Sequence, residues 1–155
     1  MKDVIKAKIV KLRGQLDDAD MYLGPSATPA EIGFLVGAVW GELGEKIPDE
    51  YLDFLRNHDG LFACGVFVFS SGLREVDDGE IIGNGFVENN KFRRSVNPMT
   101  GFLVFGESDQ DEYVLDLVQN KYQVRDRQAF DNVFEEFDTF DGILEFMIDL
   151  IIQRS

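Results

Sequence analysis

The sequence is poor in the residues that build metal centres and covalent cross-links. It has one cysteine and one histidine in 155 residues. A single cysteine excludes a disulfide within the chain and a cysteine-based zinc site, and a single histidine excludes a two-histidine metal site. Lysine and arginine are also scarce, at 15 against 29 aspartate and glutamate residues, which gives a formal net charge of −14. That balance argues against nucleic acid as a direct ligand, because phosphate binding requires lysine and arginine.

Long apolar runs are missing as well. The sequence contains no stretch of 18 or more apolar residues, so it predicts no membrane-spanning helix. The first residues are amphipathic and lack the apolar core of a secretion signal. Together with the single cysteine, these features predict a protein of the reducing cytoplasm.

The sequence does contain enough apolar material for one core, since 45% of the residues are hydrophobic and 12% are aromatic. We predict a single domain over residues 1–155, with an N-terminal helix and turn over 1–25 and a core over 26–155. Charge is distributed unevenly: residues 1–13 carry five basic side chains and one acidic one, whereas residues 14–155 carry ten basic and 28 acidic. The pattern favours a cationic helix docked on an acidic body over a helix lying on a membrane surface.

Hydrophobic periodicity predicts four helices. The capping box Thr28–Glu31 opens the second helix, and Thr139 caps the last one. Gly60 ends the third helix, because glycine readily adopts the left-handed conformation. The predicted ranges are residues 2–22, 29–43, 48–59 and 140–151.

The second predicted helix has an unusual composition. Gly33, Gly37 and Gly41 recur every four residues, a spacing that lets another element approach closely, although each glycine costs about 1 kcal/mol of helix propensity. Trp40 lies near the apolar face, and we interpret it as a core residue rather than a stacking platform.

Between the third and fourth predicted helices the apolar period changes to that of strands. Residues 72–100 are the least readable part of the chain, and Asn120-Lys121 has the composition of a two-residue hairpin turn. The predicted strands are residues 61–71, 102–105, 113–118, 122–126 and 133–137. Helices followed by a meander of strands and a closing helix predict an α+β fold with a mainly antiparallel sheet.

An acidic turn is the most prominent candidate for function. Five carboxylates fall within ten residues, and a second acidic patch lies in the unreadable region. The five are Glu107, Asp109, Asp111, Glu112 and Asp116, and the second patch is Asp77, Asp78 and Glu80. Such a surface could steer a basic protein partner and pair with its lysines and arginines, with Phe86 and Phe92 as exposed aromatic anchors.

Three other interpretations of the acidic turn stay open on spacing alone. Asp109 and Asp111 have the first spacing of a calcium loop, but the glycine and the final glutamate of that loop are missing. A pair of catalytic carboxylates would need a cleft and divergent pKa values, which no companion motif supports. The turn could also be a solvated loop with no specific role.

No enzymatic motif is found elsewhere. His58 and Cys64 could suggest a nucleophile pair, but no orienting third group is evident, and we expect Cys64 to be a buried, inert thiol. Ser70-Ser71 lacks the G-x-S-x-G pattern, and Gly83-Asn84-Gly85 lacks the full nucleotide-binding fingerprint. We therefore predict a protein with no catalytic residues and no cofactor or metal.

Three segments together resemble the SUKH superfamily, the proteins grouped around the yeast cell-wall regulators Smi and Knr. The first signature is matched by the Pro-led helix at residues 47–55 followed by Asp59-Gly60, where Asn-Gly is usual. The second is matched by the apolar strand 102–106 leading to Asp109 and Asp111. Residues 113–116 and 133–151 resemble the rest of the family core. With residues 21–25 and the hairpin at 122–127, the combination is most similar to the YrhA-like bacterial branch.

This resemblance implies an α+β fold whose antiparallel, curved sheet is flanked by helices. It also implies that the protein is a bacterial immunity protein, which binds and neutralises a polymorphic or contact-delivered toxin, such as a basic nuclease or deaminase. The alternatives from other classes are a regulatory or scaffold module that binds a host protein and a small acidic metal-dependent hydrolase. The added cationic helix departs from the family pattern.

Overall fold

The protein folds into a seven-stranded antiparallel sheet with helices packed on it, as the computed structural model shows. It describes residues 1–72, 74–75, 81–82, 85–96 and 99–155, with only the backbone at 74–75 and 81–82. Within these residues the helices are α1 (Asp3–Gln15), α2 (Pro29–Ala38), a π-helical segment (Val39–Leu43), α3 (Asp49–Asn57), α4 (Phe86–Val96) and α5 (Phe140–Arg154). The predicted α+β class is confirmed.

The sheet is an open meander. Its strands are β1 (Met21–Leu23), β2 (Leu61–Ala63), β3 (Val66–Val68), β6 (Phe102–Glu107), β7 (Asp111–Asp116), β8 (Lys121–Asp126) and β9 (Val133–Phe137). They follow the order β1-β2-β3-β6-β7-β8-β9, and each described pairing is antiparallel. A separate two-stranded pair joins β4 (Arg74–Glu75) to β5 (Ile81–Ile82).

The core lies between the sheet and α3 and α5. Helix α5 packs against α3, β3, β8 and β9. At its centre Phe105 contacts the rings of Tyr51, Phe86, Tyr122 and Phe140, with ring centroids 5.0 to 5.8 Å apart. This aromatic cluster uses three of the 14 phenylalanines, and each of its rings buries a large apolar surface.

Local signals in the sequence place the starts of α2 and α5 correctly. The Thr28 hydroxyl accepts from the Glu31 amide at 3.1 Å, and the Glu31 carboxylate accepts from the Thr28 amide at 2.9 Å. Gly60 has the expected positive φ of 94°, but α3 already ends at Asn57 with His58 as an extended C-cap, so the prediction that Gly60 ends this helix is wrong. The Thr139 hydroxyl accepts from the Gly142 amide, as predicted. The helix starts at Thr28 and Thr139 are determined by residues within a few positions in sequence, so they can be read without the tertiary structure.

The first helix is shorter than predicted but docks as the charges suggest. Helix α1 ends at Gln15, and residues 21–23 form the edge strand β1 instead of a last helical turn. Lys8 bonds to Glu145 and Asp149 of α5 at 3.0 and 2.6 Å. The cationic helix therefore lies on an acidic face of the same chain.

The region read as one strand, 61–71, is a hairpin. Cys64 and Gly65 form its turn with φ values of 50° and 76°, and Cys64 is half-buried rather than buried as predicted. The β7–β8 hairpin turn also differs from the predicted Asn120-Lys121: Asp116 pairs with Lys121, so the turn is residues 117–120.

Helix α4 is the main element that the sequence did not predict. It covers the edge of β6 where β3 stops. Its Asn90 side chain donates to the Val104 carbonyl at 2.9 Å and accepts from the Val104 amide at 2.8 Å. One amide side chain thereby replaces a missing strand neighbour, and α4 is fixed beside the acidic turn.

Candidate partner-binding surfaces

The acidic turn forms the β6–β7 hairpin, as the sequence predicted. Strand β6 ends at Glu107 and β7 begins at Asp111. The buried Ser108 closes the turn: its amide donates to the Asp111 carbonyl at 2.9 Å, and its hydroxyl accepts from the Asp111 amide at 3.1 Å. The carboxylates therefore lie on a hairpin closed by two hydrogen bonds, but their side chains have different surroundings.

Glu107 and Glu112 face each other across the hairpin and share Arg93 of α4. The Arg93 guanidinium lies 2.7 Å from Glu107 and 3.1 Å from Glu112, and the side chains of these three residues are between 11 and 19% exposed. Arg127 adds a contact of 3.3 Å to Glu107. These two carboxylates are neutralised within the chain, so they contribute little field to an incoming cation.

Burial dominates the protonation of Glu112. It raises the pKa of this carboxyl above its usual range, and the charge and hydrogen bonds of Arg93 oppose the rise. The free-energy cost of removing the Glu112 charge from water is therefore larger than the favourable interaction of that charge with Arg93. Arg93 thus offsets part of the free-energy cost of burying the carboxylates of Glu107 and Glu112.

Asp116 has a local structural role at the end of β7. Its side chain is 8% exposed, and its carboxylate accepts from the amides of Val118 and Gln119 at 3.0 and 3.2 Å. Arg125, whose guanidinium lies over the rings of Phe102 and Phe130, stands 3.6 Å away. The side chain therefore closes the β7–β8 turn and is directed away from solvent.

Only Asp109 and Asp111 remain at the tip of the hairpin. Asp109 is 62% exposed and bonds to Arg154 at 2.9 Å, and this hydrogen bond lowers the pKa of its carboxyl. Burial raises the pKa of Asp111, while Arg154 acts in the opposite direction. Within the predicted acidic turn, these two residues are the ones placed to meet another molecule.

The remaining residues predicted to bind a partner are the second acidic patch and the two aromatic anchors. Asp77, Asp78 and Glu80 lie outside the described residues. Phe92 is 67% exposed, as an anchor would be, but Phe86 is fully buried in the aromatic cluster, so its prediction as an exposed anchor is wrong. Its position at the first turn of α4 turns it towards Tyr51 and Phe105.

A cavity of about 400 Å³ next to this hairpin collects three arginines, Arg93, Arg125 and Arg127. Such a cluster could suggest an anion site. Each guanidinium already bonds to a carboxylate, an amide oxygen or a backbone carbonyl of the chain. An anion would have to displace these partners, so the cavity is part of the internal ion-pair network.

Strand β9 carries an acidic surface that sequence reasoning missed. It is the last strand of the sheet, and its first four residues are exposed, including Val133 at 42% and Phe134 at 53%. Glu135 and Glu136 lie on the strand, and Asp131 and Asp138 flank it. We define these four acids with Val133 and Phe134 as the β9 edge.

The β9 edge keeps most of its negative charge. Lys121 of β8 pairs with Asp138, and the Gln123 amide bonds to Glu136 without neutralising it. For Asp131 and Glu135, the described part of the chain supplies no ion-pair partner. A signal for this surface is present in the sequence: between Arg127 and Arg154 there are seven acids and no lysine or arginine.

Strand β9 is also irregular. The pairing with β8 shifts between Val124 and Arg125, so that Phe134 is an extra residue in the edge strand. Charges and bulges at an edge strand disfavour pairing with a second identical strand, since glutamates would face glutamates. A cationic strand meets no such repulsion.

Neither a metal-binding cluster among the described residues nor a known relative indicates a function for this chain. Among the described residues, no three histidine, cysteine, aspartate or glutamate side chains are grouped to hold a metal ion, and no helix is long and apolar enough to cross a membrane. Comparison with known proteins finds no matching family model and no match among the curated proteins. The resemblance to the SUKH superfamily therefore stays a prediction from the motifs quoted above.

Proposed function

We propose that this protein is a non-enzymatic module of the cytoplasm that binds a cationic protein and acts as an immunity protein against a contact-delivered toxin. The observation that carries the proposal is the β9 edge, where four carboxylates and two exposed apolar side chains surround a strand that has no further strand beside it among the described residues. A partner that fits it has an extended segment rich in lysine and arginine. Main-chain hydrogen bonds would supply affinity, and the acids would supply specificity.

The charge of the whole chain supports the same partner. Residues 14–155 carry 28 acidic and ten basic side chains. Lys8 of α1 pairs with two of these acids, Glu145 and Asp149 of α5. A negative body attracts a basic nuclease or deaminase from a distance and competes with its nucleic acid substrate. The tip residues Asp109 and Asp111 form a second, smaller point of contact in this proposal.

The first test is capture from native lysate at two salt concentrations, followed by inhibition of the captured protein. We expect a basic toxin domain to be held at about 0.1 M salt and released at about 1 M, because the Debye length falls from ~10 to ~3 Å. Stoichiometric addition of the protein should then abolish the toxin's activity. An acidic or neutral host protein that is held at both salt concentrations would contradict the proposal and favour a regulatory or scaffold module.

A matched pair of variants locates the surface. Glu135→Gln/Glu136→Gln removes two charges from the β9 edge, and Asp17→Asn/Asp18→Asn removes two charges from the exposed loop after α1. We expect the first pair to weaken toxin binding about tenfold or more, mainly through the association rate, and the second to have little effect. Equal effects of the two pairs would show that only net charge matters and that the β9 edge is not the site.

A further inference from the structure

We propose that the outward face of α2 and its π-helical extension is a two-fold interface between two copies of this chain. The face lies opposite the buried residues Ile32, Leu35, Val39 and Leu43. Its exposed residues are Ala30, Gly33, Phe34, Gly37, Trp40 and Gly41. This inference is independent of the proposed toxin binding and of the β9 edge.

Two large aromatic side chains stand out on this face. Phe34 is 79% exposed and Trp40 is 67% exposed, so Trp40 is not a core residue as the sequence suggested. They are six residues apart on one continuous helix, less than two turns. Single exposed apolar residues are ordinary, but two aromatic rings within two turns of one helix face are typical of an interaction surface.

The three glycines between and beside the rings have no role in packing the described part of the chain. A Cβ atom added at Gly33, Gly37 or Gly41 would meet no described atom within 4 Å. Glycine in the middle of a helix weakens it relative to alanine. A second helix that approaches closely along this face would make use of them, as small residues do where helix backbones meet.

The sequence of the face is nearly palindromic, which selects a second copy as the occupant. The exposed residues are placed symmetrically about Gly37, since Gly33 corresponds to Gly41 and Phe34 corresponds to Trp40. In an antiparallel two-fold pair centred on Gly37, Phe34 of one copy meets Trp40 of the other, and Gly33 meets Gly41. A two-fold interface requires this self-complementarity, because the same surface serves both copies.

Electrostatics agree with that occupant. Two copies with a net charge of −14 each repel one another over most of their surface. The ten residues from Ile32 to Gly41 contain no charged side chain, although 28% of the chain is charged. Along these ten residues two copies can therefore come together without placing like charges in contact, and Glu31 and Glu42 lie just outside the stretch.

The four aromatic rings alone supply less area than a typical stable interface buries, so we expect a weak dimer that forms at micromolar concentrations. Residues 30–44 extend about 22 Å along the helix axis. Burying the exposed parts of four aromatic rings removes roughly 400–700 Å² from water, against about 1,200–2,000 Å² in a typical stable interface. A groove of about 330 Å³ beside Phe34 is lined by Ala38 and Val87 and by the acidic residues Glu31, Glu42 and Glu88. It can receive part of the opposing Trp40, whose indole N–H is a hydrogen-bond donor.

Sedimentation of the full chain from about 1 to 100 μM tests the proposal. We expect the mass to rise from 17.6 kDa to twice that value with concentration. Phe34→Glu/Trp40→Glu should raise the dimer dissociation constant about 100-fold or more, because it buries uncompensated charge. Val118→Glu/Val10→Glu, which adds the same charge at exposed residues outside this face, should leave the dimer intact.

A cysteine at the proposed two-fold axis gives a second, geometric readout. Gly37→Cys in a Cys64→Ser background should form a covalent dimer under mild oxidation, since each new thiol would face its counterpart. Val118→Cys in the same background should form far less. A chain that stays monomeric throughout, a dimer that survives the Phe34/Trp40 double variant, or a Gly37→Cys variant that cross-links no faster than Val118→Cys would each overturn the proposal.

Discussion

Replacing Arg93 by glutamine is expected to destabilise the fold by about 3 kcal/mol near pH 7, because it leaves two buried carboxylates without their shared cation. Arg93 lies 2.7 Å from Glu107 and 3.1 Å from Glu112, and all three side chains are at least four-fifths buried. The remaining contact from Arg127 is longer and more exposed. Urea unfolding followed by circular dichroism measures the loss.

The deficit should shrink in acid, and the sign follows from Glu112. Its pKa is already raised by burial in the folded state and is held down in part by Arg93. Without Arg93 the folded-state pKa rises further, so the folded protein binds the proton more tightly than the unfolded chain does. Stability of Arg93→Gln therefore falls as pH rises through that pKa, and the difference from the native chain is smaller at about pH 5 than at pH 7.

Two controls separate this effect from general damage to α4. Lys91 lies on α4, as Arg93 does, and forms an exposed ion pair with Glu42 of the π-helical segment. Lys91→Gln removes this pair and should change the free energy of unfolding by less than about 0.5 kcal/mol. Adding Glu107→Gln and Glu112→Gln to Arg93→Gln should restore much of the loss, because no charge is then buried. A loss that neither acid nor the triple variant relieves would contradict an electrostatic origin.

The second large effect is expected from Phe86. Replacement by alanine should cost about 3 kcal/mol and lower Tm by about 10 °C, since it opens a cavity in a packed core. Phe86 is fully buried, and its ring centroid lies 5.2 Å from that of Tyr51 and 5.3 Å from that of Phe105. Thermal unfolding of the full chain measures it.

Phe92 provides the matched comparison on the same helix. It is 67% exposed, so Phe92→Ala should change stability by no more than about 0.5 kcal/mol. Because both variants replace phenylalanine by alanine on α4, a difference in stability between them reports the difference in burial of Phe86 and Phe92. Similar losses for the two variants would mean that the packing of α4 differs from the arrangement described here.

The sequence predicted those features that depend on near neighbours in the chain. Thr28 with Glu31 and Thr139 with Gly142 each satisfy a helix start through residues a few positions away. The short apolar run at 102–105 and the return strand of the hairpin at 122–126 can be read directly, and they occur at almost those bounds. The α+β class follows from the order of these elements.

Features that depend on distant residues could not be read in the same way. Helix α4 is held at β6 by Asn90, which replaces a strand that ends too early, and no local pattern announces that gap. Residues 21–23 become a strand because β2 offers its edge to them. In both cases a hydrogen-bonding partner far along the chain outweighs local propensity.

Composition and local spacing determined on their own that this chain is acidic, has one cysteine and one histidine, and forms an α+β fold. Only the tertiary structure decided which acids are available to a partner. Glu107, Glu112 and Asp116 are paired with arginines or closed in a turn, whereas the β9 edge keeps its charge at the surface. The physical reason is that the effect of a carboxylate depends on its nearest cation and on its contact with water, and folding sets both.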